Sequence, residues 1–223
     1  MGTCVWCGKS GFFLSVNKHG LCRSCESVIA VEAHSRMRVI NESVEILKKT
    51  KSLGTALSRI DIMVEHAREL KKFHDKCPNL ITPSPDEIIQ ICKRSRNEFI
   101  EKFTLEEIEK HKIKAELVAS PTSKITELTK ALIKIKDAQD KCEGVSQALS
   151  NKEKSIQSII HKYKLEGFLE AAKKAEFKKQ YKKALDQYQE ALYFLKNDDV
   201  PDIKQSEQIT LLENKIKELE SVI

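Results

Sequence analysis

The sequence predicts a mostly α-helical protein. A small N-terminal β-hairpin module leads into a coiled-coil-like body of long helices, and a helical hairpin plus one further helix closes the chain. Three observations carry this expectation. Only seven glycines and five prolines punctuate 223 residues, and charged residues reach 32% while aromatics stay at 6%; sparse punctuation with abundant Lys, Glu, Leu and Ile favours long helices. Four cysteines fall within the first 25 residues. Apolar residues recur at helical and heptad spacing through the remainder.

The cysteines come as Cys4-Val-Trp-Cys7 and, after fourteen residues, Cys22-Arg-Ser-Cys25. Each CxxC turn aims two thiolates at one point, and two such pairs satisfy one tetrahedral Zn²⁺ with no open position. The expected cofactor is therefore a single structural zinc. A thiol–disulfide motif would sit in a βαβ context, which is not visible here, and iron–sulfur ligation is the other alternative. Disulfides are not expected: no secretory apolar region opens the sequence, and Cys77, Cys92 and Cys142 are scattered and odd in number. Those three read as small buried apolar groups.

Between the pairs, residues 12–16 (Phe-Phe-Leu-Ser-Val) read as a strand by aromatic and β-branched content. Residues 17–20 (Asn-Lys-His-Gly) read as a turn. After Cys25 no glycine follows; Glu26-Ser27-Val28-Ile29-Ala30 starts an apolar helical run, so the last two ligands fall at a helix N-terminus, whose positive end favours thiolates. The order of knuckle, hairpin and knuckle-on-helix resembles the treble-clef class of zinc fingers over residues 3 to 35, a scaffold shared by many functions. Trp6, the only tryptophan, is either part of the module's own small core or an exposed anchor for a partner, packing being favoured in so small a module. His19 is expected in the turn, since four cysteines fill the metal shell.

The helix after the module is expected to run to about Lys49, with Met37, Ile40, Val44 and Leu47 on one stripe and Gly54 as an interruption. Ile60, Met63, Ala67 and Leu70 mark a second helix that ends before Cys77-Pro78, followed by a stiff loop with three prolines in residues 78–85. Ser84-Pro85-Asp86-Glu87 has the form of a capping box with proline at the first helical position. That helix, using Ile88, Ile91, Cys92, Phe99 and Phe103, is expected to end near Ala119-Ser120-Pro121. Leu128, Ile135, Cys142, Leu149, Ile156 and Tyr163 then recur every seven residues. This predicts one long helix over 125–163 with a narrow coiled-coil seam, weakened in its middle by Gly144 and by the polar core positions Gln139, Ser146 and Glu153. The Ile60–Leu70 helix is a candidate antiparallel partner, and homo-oligomerisation through residues 125–163 is a further possibility.

In residues 165–196, Phe168, Ala171, Ala172 and Ala175 share one helix face, and Tyr181, Ala184, Tyr188 and Ala191 share another. Small residues every three or four positions let two helices approach closely. The pattern resembles one tetratricopeptide helical hairpin, departing from it in the small Ala175, in Lys179-Gln180 where a turn glycine is usual, and in the absent closing proline. With the third helix marked by Ile209, Leu212, Ile216, Leu219 and Ile223, the segment also resembles a three-helix microtubule-interacting-and-trafficking domain. Either resemblance implies peptide or helix binding between helices, with Phe168, Tyr181 and Tyr188 (and Trp6 in the module) as candidate partner contacts. A plain bundle is the structural alternative.

Net charge is +6. Lys9, Lys18, Arg23, Arg36 and Arg38 outweigh Glu26 and Glu32 in residues 1–40 and form a candidate phosphate-binding set. No strand platform of stacking aromatics accompanies them. No apolar run reaches the ~18–20 residues of a membrane span. No Gly-rich phosphate loop, HExxH or GxSxG motif is present. The sequence thus predicts three parts: a Cys₄ zinc module (1–35), a helical body (36–163) and a tetratricopeptide-like bundle (164–223). The expected function is that of a non-catalytic cytoplasmic adaptor that mediates protein–protein interactions. A nucleic-acid-associated protein and an accessory or inhibitor protein of an enzyme complex are the alternatives.

Overall fold

The computed structural model describes residues 2–198 and 200–223. Among them are seven α-helices and one two-stranded antiparallel sheet, so the fold is mostly α. The strands are β1 (Gly2–Thr3) and β2 (Ser10–Gly11). The helices are α1 (Arg23–Lys49), α2 (Leu53–His74), α3 (Pro85–Leu117), α4 (Pro121–Lys141), α5 (Gln147–Phe177), α6 (Tyr181–Lys196) and α7 (Ser206–Glu220). No helix is long and apolar enough to cross a membrane.

The chain divides into two compact units, Met1–Phe103 with Lys141–Val145, and Thr104–Asp140 with Ser146–Ile223. This differs from the expected three parts. The four-cysteine module shares a core with α1 and α2, because Cys4, Leu21 and Cys22 are buried in the same cluster as Ile29, Ala33, Met63, Leu70 and Phe73.

Within the first unit, α1 and α2 pack on one another. The break between them is set at Thr50–Ser52, ahead of Gly54, with the Ser52 hydroxyl accepting from the Thr55 N–H at 3.4 Å. The capping box forms as the sequence indicates. The Glu87 carboxylate accepts from the Ser84 N–H at 2.8 Å, and the Ser84 hydroxyl accepts from the Glu87 N–H at 3.3 Å. The backbone and side-chain donors of Ser84 hold the Glu87 carboxyl below its usual pKa. Asn97 of α3 grips the 141–145 segment, its side chain bonding the Glu143 carbonyl (2.8 Å) and N–H (3.0 Å).

The single helix expected over 125–163 is two helices, α4 and α5. Gly144, at φ +98°, makes the turn between them, a conformation that glycine adopts without steric cost. The heptad residues Leu128, Ile135, Leu149 and Ile156 are nevertheless all buried within the chain. Their seam is filled by intramolecular packing: Ile108 and Ala115 of α3 are buried at the same seven-residue spacing. Polar contacts link the same three helices, from His111 to Glu127 (3.0 Å), from Gln139 to Glu153 (3.1 Å) and from Lys152 to Glu109 (3.3 Å).

The C-terminal half of α5 packs closely on α6, and α6 on α7. Ala172, Ala175, Ala184 and Ala191 lie buried at the contact, with Leu195, Leu212, Ile216 and Leu219 completing the core. The hairpin turn is a Schellman motif: the Gln180 N–H donates to the Ala175 carbonyl (2.9 Å) and the Lys179 N–H to the Glu176 carbonyl (2.7 Å). Lys179 therefore sits at φ +54° where glycine is usual. A left-handed L-residue costs roughly 1–2 kcal/mol, and glycine's extra chain entropy recovers only part of this. Lys179→Gly is expected to stabilise the protein by about 0.5–1 kcal/mol. A denaturation midpoint at or below that of the parent chain would contradict it.

Candidate metal centre

The short β1–β2 hairpin, with Gly2 opposite Gly11 and Thr3 opposite Ser10, closes around the first CxxC turn. The Cys4 N–H donates to the Lys9 carbonyl and the Gly8 N–H to the Cys4 carbonyl, both at 2.9 Å. A second turn precedes the second pair. The Asn17 side-chain oxygen accepts from the His19 and Leu21 amides at 2.9 and 3.0 Å. Gly20, at φ +74°, brings its backbone so close to Val5 that an added Cβ would lie 2.9 Å from that side chain. Its carbonyl accepts from the Val5 N–H at 3.0 Å and locks the two turns together.

Cys22 is the N-cap of α1 yet makes no capping bond with its side chain; its sulfur faces the other cysteines, 3.9 Å from that of Cys7. Cys25 lies in the first turn of the helix. All four sulfurs lie within 4.8 Å of one another. A tetrahedral ion with bonds of about 2.3 Å would space its sulfurs about 3.8 Å apart, so the four cysteines could hold one metal ion with modest adjustment. The sequence-derived ligand set is thus brought together in space. His19 is not part of the cluster.

The electrostatics favour a cation. Backbone N–H groups of Cys7 and Cys22 lower the Cys4 thiol to about 6 against an opposing desolvation; the Cys22 N–H lies 3.3 Å from the Cys4 sulfur. Burial, and then the neighbouring thiols of Cys22, Cys7 and Cys4, push Cys25 up to about 12. Four sulfurs gathered this closely resist full deprotonation unless a positive ion neutralises them.

Trp6 is half-buried and stacks on Phe73 of α2, with ring centroids 5.7 Å apart and planes at 21°. The Lys76 ammonium lies 4.7 Å from the centre of the indole. Of the candidate phosphate ligands, Arg36 pairs with Glu32 (3.2 Å) and Glu69 (3.5 Å), and Arg38 with Glu42 (3.6 Å). Lys9, Lys18 and Arg23 are exposed. The strand expected over 12–16 is absent: β2 ends at Gly11, and residues 12 and 13 form a turn. Strand propensity reads pairing partners into a run of aromatics, whereas here residues 12 and 13 turn and Val16 alone of the run pairs, as a single antiparallel bridge with Cys22.

In the second unit the candidate partner contacts separate. Tyr188 is 5% exposed, and burial together with the Glu176 carboxylate beside it raises its phenol pKa. Tyr181 is 37% exposed at the start of α6, and Phe168 is half-buried with its ring 5.9 Å from Phe194. A groove of about 650 Å³ opens instead among α4, α5 and the end of α6, over Ile125, Leu132, Ile160, Phe194 and Val200, with Lys154 and Lys164 also lining it. Its wall is braced by a polar cluster. His161 Nε2 lies 2.5 Å from the Asp198 carboxylate, which also accepts from the Val200 N–H (2.7 Å) and the Gln205 amide (2.9 Å). Burial works against the Asp198 carboxylate, but these donors together hold its pKa low. Sequence reasoning missed this groove because its residues come from three separated segments.

The chain matches no protein-family model, no curated protein and no solved structure.

Proposed function

We propose that the protein is a non-catalytic intracellular adaptor, built on one structural Zn²⁺ held by Cys4, Cys7, Cys22 and Cys25, that joins protein partners. The carrying observation is the four sulfurs within 4.8 Å of one another. A closed shell of four thiolates suits zinc and leaves no coordination position for a substrate, so such a metal serves folding. Reduced cysteines kept for a metal fit a reducing compartment.

The apolar groove in the second unit supports the role of partner binding. Its floor of Ile125, Leu132, Ile160 and Phe194 offers a site for an apolar side chain of a peptide, and Lys154 and Lys164 offer charges for carboxylates beside it. The experiment measures metal content by mass spectrometry and affinity capture from cross-linked cells, using the full chain and an Ile160→Asp, Phe194→Asp variant. One zinc per chain is expected, with a protein recovered by the parent and lost in the variant. Absence of zinc would overturn the metal assignment. Recovery of nucleic acid alone, released by raised salt, would overturn the adaptor reading.

A further inference from the structure

The first 25 residues display a surface feature that neither the metal centre nor the core uses. Residues 11–14 form a turn in which the Leu14 N–H donates to the Gly11 carbonyl at 3.3 Å. Phe12 and Phe13 occupy its two central positions, 78% and 97% exposed. Their rings meet edge to face, with centroids 5.6 Å apart and planes at 78°. Leu14 and Val16, just beyond, pack against the core. Such corner positions usually hold Gly, Pro, Asn, Asp or Ser. An isolated exposed apolar residue is unremarkable, but two adjacent phenyl rings on a projecting turn form a patch that marks an interaction site.

The segment that carries the turn is charged with one sign only. Residues 2–25 contain Lys9, Lys18 and Arg23 and no Asp or Glu. All three cations are exposed, and among the described residues no carboxylate pairs with them. Lys9 immediately precedes β2, three residues before Phe12.

We propose that this turn docks on an anionic lipid bilayer: Phe12 and Phe13 enter the interfacial layer while Lys9, Lys18 and Arg23 meet the headgroup phosphates. Hydrocarbon asks for apolar surface and no directional partner, which is what a turn without hydrogen-bonding side chains at its corners presents. Each cation near an anionic leaflet strengthens binding about fivefold. Stacked bases are a poorer match, because the two rings lie nearly perpendicular and offer no common plane. This inference goes beyond the adaptor reading and stands independently of it.

The test is sedimentation of the full, metal-loaded chain with phosphatidylcholine vesicles, with and without phosphatidylserine. Binding is expected only with phosphatidylserine and should weaken as salt rises. A Phe12→Ser, Phe13→Ser double variant is expected to lose at least about tenfold in partitioning. Its metal content and unfolding midpoint should match the parent, since both rings lie outside the core. Each of Lys9→Gln, Lys18→Gln and Arg23→Gln should cost about fivefold. Failure of the parent chain to sediment with the anionic vesicles would overturn the proposal, as would equal sedimentation of the double variant. Binding of a single-stranded oligonucleotide that depends on the two phenylalanines, in the absence of vesicle binding, would reassign the turn to nucleic acid.

Discussion

Cys22→Ser is expected to abolish stoichiometric metal binding and loosen the N-terminal module. Cys22 does three things at once: it caps α1, its N–H lies 3.3 Å from the Cys4 sulfur, and its own sulfur lies 3.9 Å from that of Cys7. Serine preserves the backbone role and improves the cap, but a neutral hydroxyl does not replace a thiolate. Removing a supporting hydrogen bond around a metal already costs 10–100-fold in affinity; losing a ligand should cost more, on the order of 3 kcal/mol or above. Metal retained after dialysis against a mild chelator should fall well below one per chain. Because Trp6 is the only tryptophan and lies between two ligands, its emission should shift to longer wavelength as its seat opens. Cys142→Ser is the control: Cys142 is half-buried and outside the sulfur cluster, so that variant should keep its metal. Full metal retention in Cys22→Ser would refute the assigned ligand set.

The four-cysteine cluster was legible because its determinants are local. Two CxxC turns and the apolar run after Cys25 specify ligands and helix start within 30 residues, and the sulfurs gather where the spacing says they must. The capping box at Ser84 was legible for the same reason: its donors and acceptors lie three residues apart. Helix existence was equally local, since few glycines and prolines interrupt the chain. Breaks were harder. The heptad stripe from Leu128 to Tyr163 continues across Gly144 without a change of phase, so periodicity alone joins two helices that the backbone separates. Pairing was harder still. Nothing in the stripe of Ile60, Met63, Ala67 and Leu70 names α1 as its partner, because any apolar stripe satisfies any other to first order. The projecting Phe12–Phe13 turn was hidden by propensity: those residues favour strands, and only the shortness of β1 reveals that they have no partner.

Phe73→Ala should destabilise the first unit by about 3–5 kcal/mol, the usual cost of emptying a large buried aromatic site. Phe73 is among the largest fully enclosed side chains in the protein. It stacks on Trp6 on one side and belongs to the cluster of Leu70, Cys77 and Ile81. No local rule ties residue 73 to residue 6, yet their contact seats the four-cysteine module on the end of α2. The module is too small to bury Trp6 alone, so the ring that receives it is supplied from 67 positions away. Truncation therefore removes apolar contacts from α2 and exposes the indole in one step. A lowered urea midpoint and a red shift of Trp6 emission should appear together, with metal still bound, because none of the four sulfurs is touched. Phe73→Leu retains most of the volume and should cost less than about 1.5 kcal/mol, which separates loss of packing from loss of the ring stack. A Phe73→Ala midpoint within 1 kcal/mol of the parent, a threshold well below the usual ~3–5 kcal/mol, would mean that the module holds its position without this contact. The metal and its protein ligands would then have to be sufficient to order Trp6.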